Sequence, residues 1–404
     1  MDLQHIRKEF PLLNTTVNGK PLVYLDNAAT TQKPCAVTDA LLSYYRTINS
    51  NIHRGVHHLS QQATEAFEES RECVRKFMNA ARQEEIIFTK GTTEAINLVA
   101  HGFARKFLKK GDRILVTVAD HHSDFVPWQQ ACLQSGAEFD IMPVERDGSL
   151  NLALLEQKLA LKPKLFAFPH ISNVLGIENP VKQICAMAHS QGVTVLVDGA
   201  QGIAHCKVDV NELDCDFYCW SAHKIYGSTG IGVLYGKYDC LEKLPPYQFG
   251  GEMIEEVDLG QTSFAALPFK FEAGTPPIAE AISLKSTLEF VQNISFDALR
   301  KHEEKLTGLA IEGLRRIDGI EIYGKEEGHS GVVSFNLEGA YHYDTGVILD
   351  QLGIAVRTGH HCAQPLMKHF GIPGCVRASF AIYNTEEEVE RLLAGVEKAA
   401  QMLR

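Results

Sequence analysis

The feature that most constrains this chain is a regular alternation of apolar runs and amphipathic stretches between residues 84 and 199. Runs such as RILVTVA (113–119) and KLFAFPH (164–170) are apolar through their centres, whereas TTEAINLVAHGFARKF (92–107) has the apolar spacing of a helix. Apolar strands separated by helices are typical of a mostly parallel sheet that is covered on both faces. Because such sheets bind ligands beyond the carboxyl ends of their strands, functional residues are expected there.

The same patterns set the expected order of elements. We predict strands at 84–89, 113–119, 138–144, 164–170 and 193–199. Helices are predicted at 92–107, 126–136 and 179–192. The stretch 240–278 is rich in Gly, Pro and aromatic residues, so it is expected to be irregular and to form functional or intermolecular contacts. One long helical pattern (278–315) and several short strands then indicate a smaller α+β domain.

Composition excludes several classes of protein. The 404 residues are 45% hydrophobic and 22% charged, which excludes a disordered chain, a collagen-like fibre and a coiled coil. No apolar run reaches the roughly 18 residues of a membrane span, and the opening MDLQHIRKEF lacks the features of a secretory signal. A net charge of -11 without a basic cluster disfavours nucleic acid. Ten cysteines are too few for a disulfide scaffold, so we expect a cytoplasmic protein that handles small molecules or protein partners.

The sharpest local feature is the strand end VLVDGAQG, followed by WSAHKIYG. Asp198 ends an apolar strand, and Lys224 lies among aromatic residues and glycines. A lysine near an apolar wall can form a Schiff base, and an aspartate at a strand end can hold a pyridinium nitrogen. This pairing is a mark of pyridoxal-phosphate enzymes. A solvated lysine and a turn-forming Asp-Gly remain the alternative.

Two further motifs follow predicted strands. KGTTEAINL (90–98) opens a helix, where the hydroxyls and backbone donors of Thr92 and Thr93 suit a phosphate, although an ordinary threonine N-cap explains them equally well. In ADHHSDFVPW (119–128), His121 can stack on a flat ring and carry protons. A metal site is the rival interpretation of the histidine pair, but we find no third ligand at a useful spacing and predict no metal.

The loop VRTGHHCAQP (356–365) carries the one cysteine that we single out. Cys362 follows His360 and His361, which favour a thiolate, in a short polar loop. A cysteine–histidine hydrolase would also need a supporting Asn or Asp and an oxyanion site. Downstream, Arg377 lies on a predicted strand, where it suits bidentate binding of a carboxylate or a structural ion pair.

These motifs form an ordered set. GTTE, DHH with VPW, ISNVLG, VDGAQG, SAHKIYG, FEAGTP, RTGHHCAQP and RASF with YNT occur in this order. Together they resemble group II cysteine desulfurases of the Suf type, which are fold type I pyridoxal-phosphate enzymes of the class V aminotransferase family and are closely similar to selenocysteine lyases. The resemblance runs from YLDNAAT (24–30) to YNTEEEV (383–389).

The resemblance implies a fold and a set of domains. It implies a large domain with a mostly parallel seven-stranded sheet and a smaller α+β domain at the C-terminus. We place the large cofactor domain at 21–284 and the small domain, with the Cys362 loop, at 285–404. Residues 1–20 are expected to form a segment that packs on the small domain.

The resemblance also implies roles for individual residues. Lys224 holds pyridoxal 5′-phosphate (PLP) as a Schiff base, Asp198 pairs with the ring nitrogen, Gln201 binds the ring hydroxyl and His121 stacks over the ring. The phosphate is expected to be bound by Thr92, Thr93, Ser221 and His223 and by Thr275 of the partner subunit, which implies a homodimer.

The remaining implied roles concern substrate and sulfur. Asn173 and Arg377 bind the substrate carboxylate, and His53, Arg54 and Arg357 line the entrance or support Cys362. Cys362 attacks the sulfur of L-cysteine, which leaves alanine and a persulfide on Cys362. In the family, a short loop of this kind accompanies a buried persulfide. It also implies a sulfur acceptor protein of the SufE or SufU type and a role in iron–sulfur cluster assembly.

Other functions fit parts of the same pattern. A selenocysteine lyase acts on L-selenocysteine without forming a persulfide. A transaminase of the same family would have no catalytic role for Cys362. An inactive scaffold would retain only the fold. Four positions also depart from the family pattern: Ala222, Ser228, Phe249 and Asp124. We expect Phe249 to alter the dimer-contact loop or the entrance, and Asp124 to add negative charge near the cofactor.

Overall fold

The strands and helices follow the alternation expected from the sequence. The computed structural model describes residues 2–325 and 329–403. Its strands are β1 (Thr16–Val17), β2 (Lys20–Pro21), β3 (Val23–Tyr24), β4 (Ile86–Thr89), β5 (Arg113–Thr117), β6 (Glu138–Met142), β7 (Leu165–Pro169), β8 (Thr194–Asp198), β9 (Phe217–Ser221), β10 (Gly232–Gly236), β11 (Ile254–Val257), β12 (Thr262–Phe264), β13 (Ile320–Tyr323), β14 (Val332–Leu337), β15 (Ile354–Ala355), β16 (Arg357–Gly359) and β17 (Cys375–Ser379).

The helices separate these strands and cover the sheets. They are α1 (Leu3–Lys8), α2 (Cys35–Thr47), α3 (His58–Phe77), α4 (Thr92–Phe107), α5 (His122–Ser135), α6 (Leu152–Ala160), α7 (Val181–Ser190), α8 (Gly202–His205), α9 (Val210–Leu213), α10 (Tyr238–Lys243), α11 (Ile278–Asn293), α12 (Phe296–Leu314), α13 (His342–Gln351), α14 (Gln364–Phe370) and α15 (Glu386–Leu403). In the described part of the chain, none of them combines the length and the apolar character needed to cross a bilayer.

A seven-stranded sheet forms the centre of the molecule, with the strand order β4-β10-β9-β8-β7-β5-β6. Its strands pair in parallel from β9 to β6, and β10 runs antiparallel to both β4 and β9. The mostly parallel sheet is therefore confirmed. Successive residues of one strand enter different hydrophobic clusters: Phe166 and Phe168 lie in one, and Leu165 and Ala167 in the other. Burial on both faces is why these strands are apolar without alternation.

Two predicted helices differ from the observed ones. Helix α5 begins at His122 rather than at 126, because the His121 side chain accepts a hydrogen bond from the Ser123 backbone N–H and caps the helix. The predicted helix over 278–315 is two helices, since the chain is extended at Ile294 and at Ser295. Ser295 is the N-cap of α12, although its side chain makes no capping hydrogen bond.

The C-terminal part forms a second sheet with the order β13-β14-β17-β16. Strand β3 pairs in parallel with β15, and Val23 and Leu25 share a hydrophobic cluster with Phe335 and Leu392. The strand that packs with the C-terminal sheet thus lies at 23–24, inside the range that we assigned to the large domain. The packing of residues 1–20 on the small domain stays a prediction. The proposed boundary at 284/285 falls inside helix α11.

The irregular stretch 240–278 contains only the hairpin β11–β12 and short helical turns among its residues, all of which are described. A buried ion pair fixes its end to the central sheet. Nη1 of Arg71, from α3, lies 2.6 Å from Oε1 of Glu272. The same carboxylate oxygen accepts a hydrogen bond from the Phe88 backbone N–H in β4. Because both charges are buried, each depends on the other for stabilisation.

Glu272→Leu is expected to lower the free energy of unfolding by about 3–5 kcal/mol, because it leaves the buried Arg71 guanidinium without its main partner. Urea denaturation of the holoenzyme measures the change. The double variant Arg71→Met/Glu272→Leu is expected to recover part of the loss, since it removes both charges. A single variant within about 1 kcal/mol of the parent would contradict a stabilising role for the pair.

Candidate active site

A cavity of about 260 Å³ lies at the carboxyl ends of the central strands. It gathers most of the predicted site residues, which are Thr92, Thr93, His121, Asn173, Asp198, Gln201, Ser221, His223, Lys224, Arg357, Cys362 and Arg377. Asp198 ends β8 and Ser221 ends the neighbouring β9, while Arg377 reaches the cavity from β17 of the smaller sheet. The site therefore forms between the two sheets, at the edge where a parallel sheet binds its ligands.

Lys224 occupies a tight turn that directly follows β9. Four donors fix this turn through one acceptor, the carbonyl oxygen of His223. The Thr31 backbone N–H donates at 3.0 Å and the Thr31 hydroxyl at 3.2 Å. The Thr30 hydroxyl and the Lys33 ammonium each donate at 3.1 Å. So many bonds to one carbonyl hold the lysine backbone in place while its side chain projects into the cavity.

The Lys224 amine and the Asp198 carboxyl modify one another's ionisation. Burial lowers the pKa of Lys224 to about 8, and the charge of Asp198 opposes that shift. Burial raises the pKa of Asp198, and the charge of Lys224 opposes this in turn. One Asp198 oxygen accepts a hydrogen bond from the Ala200 backbone N–H at 2.9 Å. An amine with a pKa near 8 is partly uncharged at neutral pH, so it can act as a nucleophile towards a carbonyl.

The His121 ring is neutral and has a defined tautomer. Burial lowers its pKa to about 3, and the nearby Lys224 charge lowers it further. Nδ1 of His121 accepts the Ser123 backbone N–H at 3.1 Å. The ring therefore carries its proton on Nε2. A flat, uncharged imidazole on the cavity wall suits stacking against an aromatic ligand.

Hydroxyl and backbone donors cluster where α4 begins. The Thr92 backbone N–H donates to Oγ of Ser221 at 2.7 Å, and Oγ1 of Thr93 lies 2.7 Å from Oγ of Ser123. A Cβ at Gly91, whose φ is +153°, would lie only 3.1 Å from Oγ of Ser221, so a glycine permits this close approach. A helix N-terminus lined with hydroxyls favours an anion such as a phosphate group.

Arg377 combines structural bonds with one free donor. Its Nη1 donates to the Asn173 carbonyl at 2.9 Å, and its Nη2 lies 3.4 Å from Oδ1 of Asp26. Its Nε is buried and has no hydrogen-bond partner within the described chain. The structural ion pair that was one of the two interpretations is present, whereas carboxylate binding stays a prediction. Asp26 also accepts from Nη2 of Arg357 at 3.0 Å.

Cys362 lines the cavity from the loop between β16 and α14. Its φ is +54° and that of His361 is +50°, a left-handed pair that is costly for residues other than glycine. The thiol-bearing residue is exposed in the single chain, although the short loop led us to expect a buried sulfur. The loop crosses the cavity rim instead of folding beneath it. The expectation that most other cysteines are buried is confirmed, for six of the nine.

Three predicted site residues lie outside this cavity. His53 is held by Glu68, at 3.0 Å from Nε2 to Oε1, and by the Phe269 ring. Arg54 forms an ion pair with Glu252 at 3.2 Å. Thr275 was expected to act from the partner subunit, and it does not line the cavity of its own chain. The roles proposed for all three therefore stay predictions.

The sequence reasoning did not identify three residues that shape the site. Asp26 lies in YLDNAAT, which served only to mark the extent of the resemblance. Ser123 bonds both His121 and Thr93, but a serine carries no distinctive sequence signal. His361 lines the cavity with its Nδ1 buried and unpaired among the described residues, while its Nε2 bonds the Cys375 carbonyl. It was considered only as an influence on the thiolate.

The four unusual positions have different surroundings. Ala222 is buried in the lysine turn, Oγ of Ser228 lies 3.1 Å from that of Ser283, and the exposed Phe249 packs against Phe264. Asp124 is fully buried, and burial together with Asp120 and Asp198 raises its pKa well above the usual range. Burial therefore opposes the negative charge that was expected at this position, because it raises the pKa of the carboxyl.

The arrangement as a whole fits PLP, and it defines a fold type I PLP enzyme. Hydroxyls at a helix N-terminus suit the phosphate, Asp198 suits a ring nitrogen, His121 offers a flat face, and Lys224 offers the amine. The class V aminotransferase family matches residues 23–392. The chain belongs to that family and is a PLP-dependent enzyme.

Individual relatives agree with the family assignment. The chain is 49% identical to a probable cysteine desulfurase of Halalkalibacterium halodurans, over 99% of this chain and 98% of that protein. It is 47% identical to a cysteine desulfurase of Serratia proteamaculans, over 99% of each. Among solved structures, the cysteine desulfurase CsdA of Escherichia coli has a TM-score of 0.93 and 38% identity, with complete coverage of both chains. The apo cysteine desulfurase of Thermococcus onnurineus has a TM-score of 0.94 and 40% identity, over 99% of this chain and 98% of that one.

Asp124→Asn is expected to change how stability depends on pH. The folded state holds Asp124 protonated, so its contribution is fully present below the unfolded pKa of about 3.9 and is lost as pH rises towards the raised folded pKa. Across that window, the free energy of unfolding of the parent should fall relative to the variant by up to about 1.4 kcal/mol per pH unit. Asparagine also keeps an oxygen for the Trp128 indole N–H, which now donates to Oδ1 at 2.9 Å.

Urea denaturation of both holoenzymes between pH 5 and pH 8 measures this difference. Asp39→Asn, at an exposed position on α2, is the control and should give a curve parallel to the parent. If the Asp124→Asn curve is parallel as well, the buried carboxyl ionises freely and the suppression of its charge is disproved.

Proposed function

We propose that this chain is a cysteine desulfurase that converts L-cysteine to L-alanine and retains the sulfur as a persulfide on Cys362. One observation carries the proposal: the Lys224 amine and the Cys362 side chain line the same cavity, although they come from different sheets. A PLP enzyme that acts only on the α-carbon has no use for a thiol at this position. The names of the relatives support the same activity.

Arg377 and Asn173 are proposed to position the amino acid. The unpaired Nε–H of Arg377 points to an anionic partner, and the substrate carboxylate supplies one. The Asn173 amide donates to the His361 carbonyl at 2.9 Å, so it also fixes the backbone next to Cys362. Carboxylate binding and thiol placement are therefore coupled through two adjacent side chains.

The chain's own groups then move the protons and accept the sulfur. Bound PLP supplies an electron sink for the pairs released at the substrate's α- and β-carbons. Lys224, with a pKa of about 8, takes up the α-proton at Nζ. The Cys362 thiolate attacks the substrate sulfur, so that one S–S bond forms and one C–S bond breaks. The β-carbon gains a proton, for which Nε2 of His121 is the proposed carrier. Lys224 returns its proton from Nζ to the α-carbon, and alanine leaves.

Further proposals concern partners and location. The exposed Cys362 would present its sulfur to an acceptor protein of the SufE or SufU type, for iron–sulfur cluster assembly. The exposed apolar residues Val257 and Leu259, in and beside the hairpin β11–β12, favour a homodimer in which Thr275 of the partner subunit reaches the phosphate. A reducing cytoplasm would keep Cys362 reduced between turnovers.

Cys362→Ser is expected to reduce alanine formation from L-cysteine by at least about a thousandfold, because the variant lacks the nucleophile. Cleavage of L-selenocysteine should persist if that reaction needs no persulfide. Alanine and sulfide are measured with and without an acceptor protein, and the visible PLP band is recorded before and after L-cysteine. Cys73→Ser, far from the cavity lining, is the matched control.

Release of sulfur from cysteine at the parental rate by Cys362→Ser would show that another group is the nucleophile. A keto acid in place of alanine would identify a transaminase. If the purified parent protein shows no PLP band, a scaffold that only retains the fold is favoured.

Arg377→Lys is expected to raise KM for L-cysteine by about 10–100-fold, because a charge-assisted hydrogen bond to the carboxylate is lost. Steady-state kinetics with cysteine separates KM from kcat. Arg357→Lys, at a half-exposed arginine that shares Asp26, should change KM much less. Equal effects of the two substitutions would contradict a specific role of Arg377 in binding the carboxylate.

A further inference from the structure

A second cluster of side chains meets at Cys362, on the side facing His122 and His360. The ligand atoms of these three residues all lie within 4.8 Å of one another. His122 is the first residue of α5, whereas the other two belong to the loop before α14. The histidine rings are 5.6 Å apart between centroids and inclined by 36°. From the sequence we found no third ligand for the histidine pair, and the fold brings two ligands from the distant loop.

We propose that His122, His360 and Cys362 bind a Zn²⁺ ion. Two imidazoles and a thiolate form a nitrogen–sulfur donor set of the kind that zinc prefers, and three protein ligands leave a fourth position open to water. Tetrahedral Zn²⁺ brings such ligand atoms to about 3.3–3.6 Å from one another. Starting from at most 4.8 Å, the distances in the cluster must therefore shorten by no more than about 1.5 Å. His360 and Cys362 are exposed and His122 is half-buried, so their side chains have room to rotate.

The hydrogen bonds in this cluster already orient both rings towards the loop. Nε2 of His122 accepts the Gln364 backbone N–H at 3.1 Å, and Nδ1 of His360 accepts the Cys362 backbone N–H at 3.1 Å. Each ring thus directs a lone pair at the segment that carries the thiol. Binding at these nitrogens would replace two single backbone hydrogen bonds and release the thiol proton to solvent, a small cost beside metal–ligand bonds.

Zinc at this position would withdraw the Cys362 sulfur from the cavity. A zinc-bound thiolate is a weaker nucleophile than a free one and would be held away from the substrate, so zinc is expected to inhibit sulfur transfer reversibly. This consequence rests on the proposed function, whereas the binding of zinc does not. The two are therefore tested by separate measurements.

Equilibrium dialysis of the chelator-treated, reduced holoenzyme against Zn²⁺ alone, with elemental analysis, tests the site. We expect one zinc ion per chain in the parent and none at the same free zinc concentration in Cys362→Ser. His122→Gln and His360→Gln should each weaken binding by at least about tenfold, the low end of what even the loss of an outer-shell partner costs. His58→Gln and Cys73→Ser, outside the cluster, are the controls and should bind like the parent. Retention of the PLP band verifies that each variant is folded.

Three results would overturn the proposal: no stoichiometric zinc in the parent, zinc that survives Cys362→Ser, or histidine variants that bind like the controls. Alanine formation with added zinc, and then with chelator, tests the consequence separately. A protein that binds zinc but forms no alanine from cysteine would retain the metal site and lose the proposed function. A protein that forms alanine from cysteine but binds no zinc would retain the proposed function and lose the metal site.

Discussion

The site depends on placing an amine and a carboxylate together on the floor of one cavity. Asp198 ends β8, and Lys224 follows the adjacent parallel strand β9, so the sheet register fixes the distance between their backbones. The carbonyl that accepts four hydrogen bonds, just before Lys224, keeps the turn from shifting. Burial then lowers the pKa of the amine and raises that of the carboxyl. Backbone geometry and electrostatics thus prepare the same pair for cofactor chemistry.

The Cys362 loop is tied to the large sheet as well as to its own. The His122 backbone N–H donates to the Cys362 carbonyl at 2.6 Å, and Asn173, after β7, donates to the His361 carbonyl. These bonds hold two consecutive residues in left-handed conformations that would otherwise relax. A thiol on an exposed loop is therefore held in a defined position, where it borders both the cavity and the pair of histidines.

The sequence was most informative where local pattern and burial agree. Strands buried on both faces are apolar throughout, so their positions and the central sheet could be predicted. The motifs that end these strands identified the amine, the carboxylate, the stacking histidine and the thiol. Helix boundaries were less certain: the start of α5 depends on a histidine acting as a cap, and the break before α12 is a local change of backbone conformation at Ile294 and Ser295. Such effects carry little periodic signal.

Long-range relations were beyond reach for a different reason. The meeting of His122 with His360, and the double ion pair of Asp26 with Arg357 and Arg377, join segments far apart in the chain. A single sequence carries no direct information about which distant segments come together in space. The burial that suppresses the charge of Asp124 is likewise a property of the assembled core. His53 and Arg54 show the complementary difficulty, because a motif does not reveal whether its residues line a cavity or lie beside it.

The pairing of the first and last parts of the chain also has a consequence for biosynthesis. Asp26 and its partner Arg357 lie 331 residues apart, and the adjacent strand β3 has β15 as its neighbour. At translation rates of about 5–20 residues per second, roughly 15–70 s separate the synthesis of the two segments. During that interval, Val23 and Leu25 have left the ribosome without the apolar surface that later covers them. The nascent N-terminus thus exposes these apolar side chains for most of translation, and the smaller lobe can close only when the chain is nearly complete.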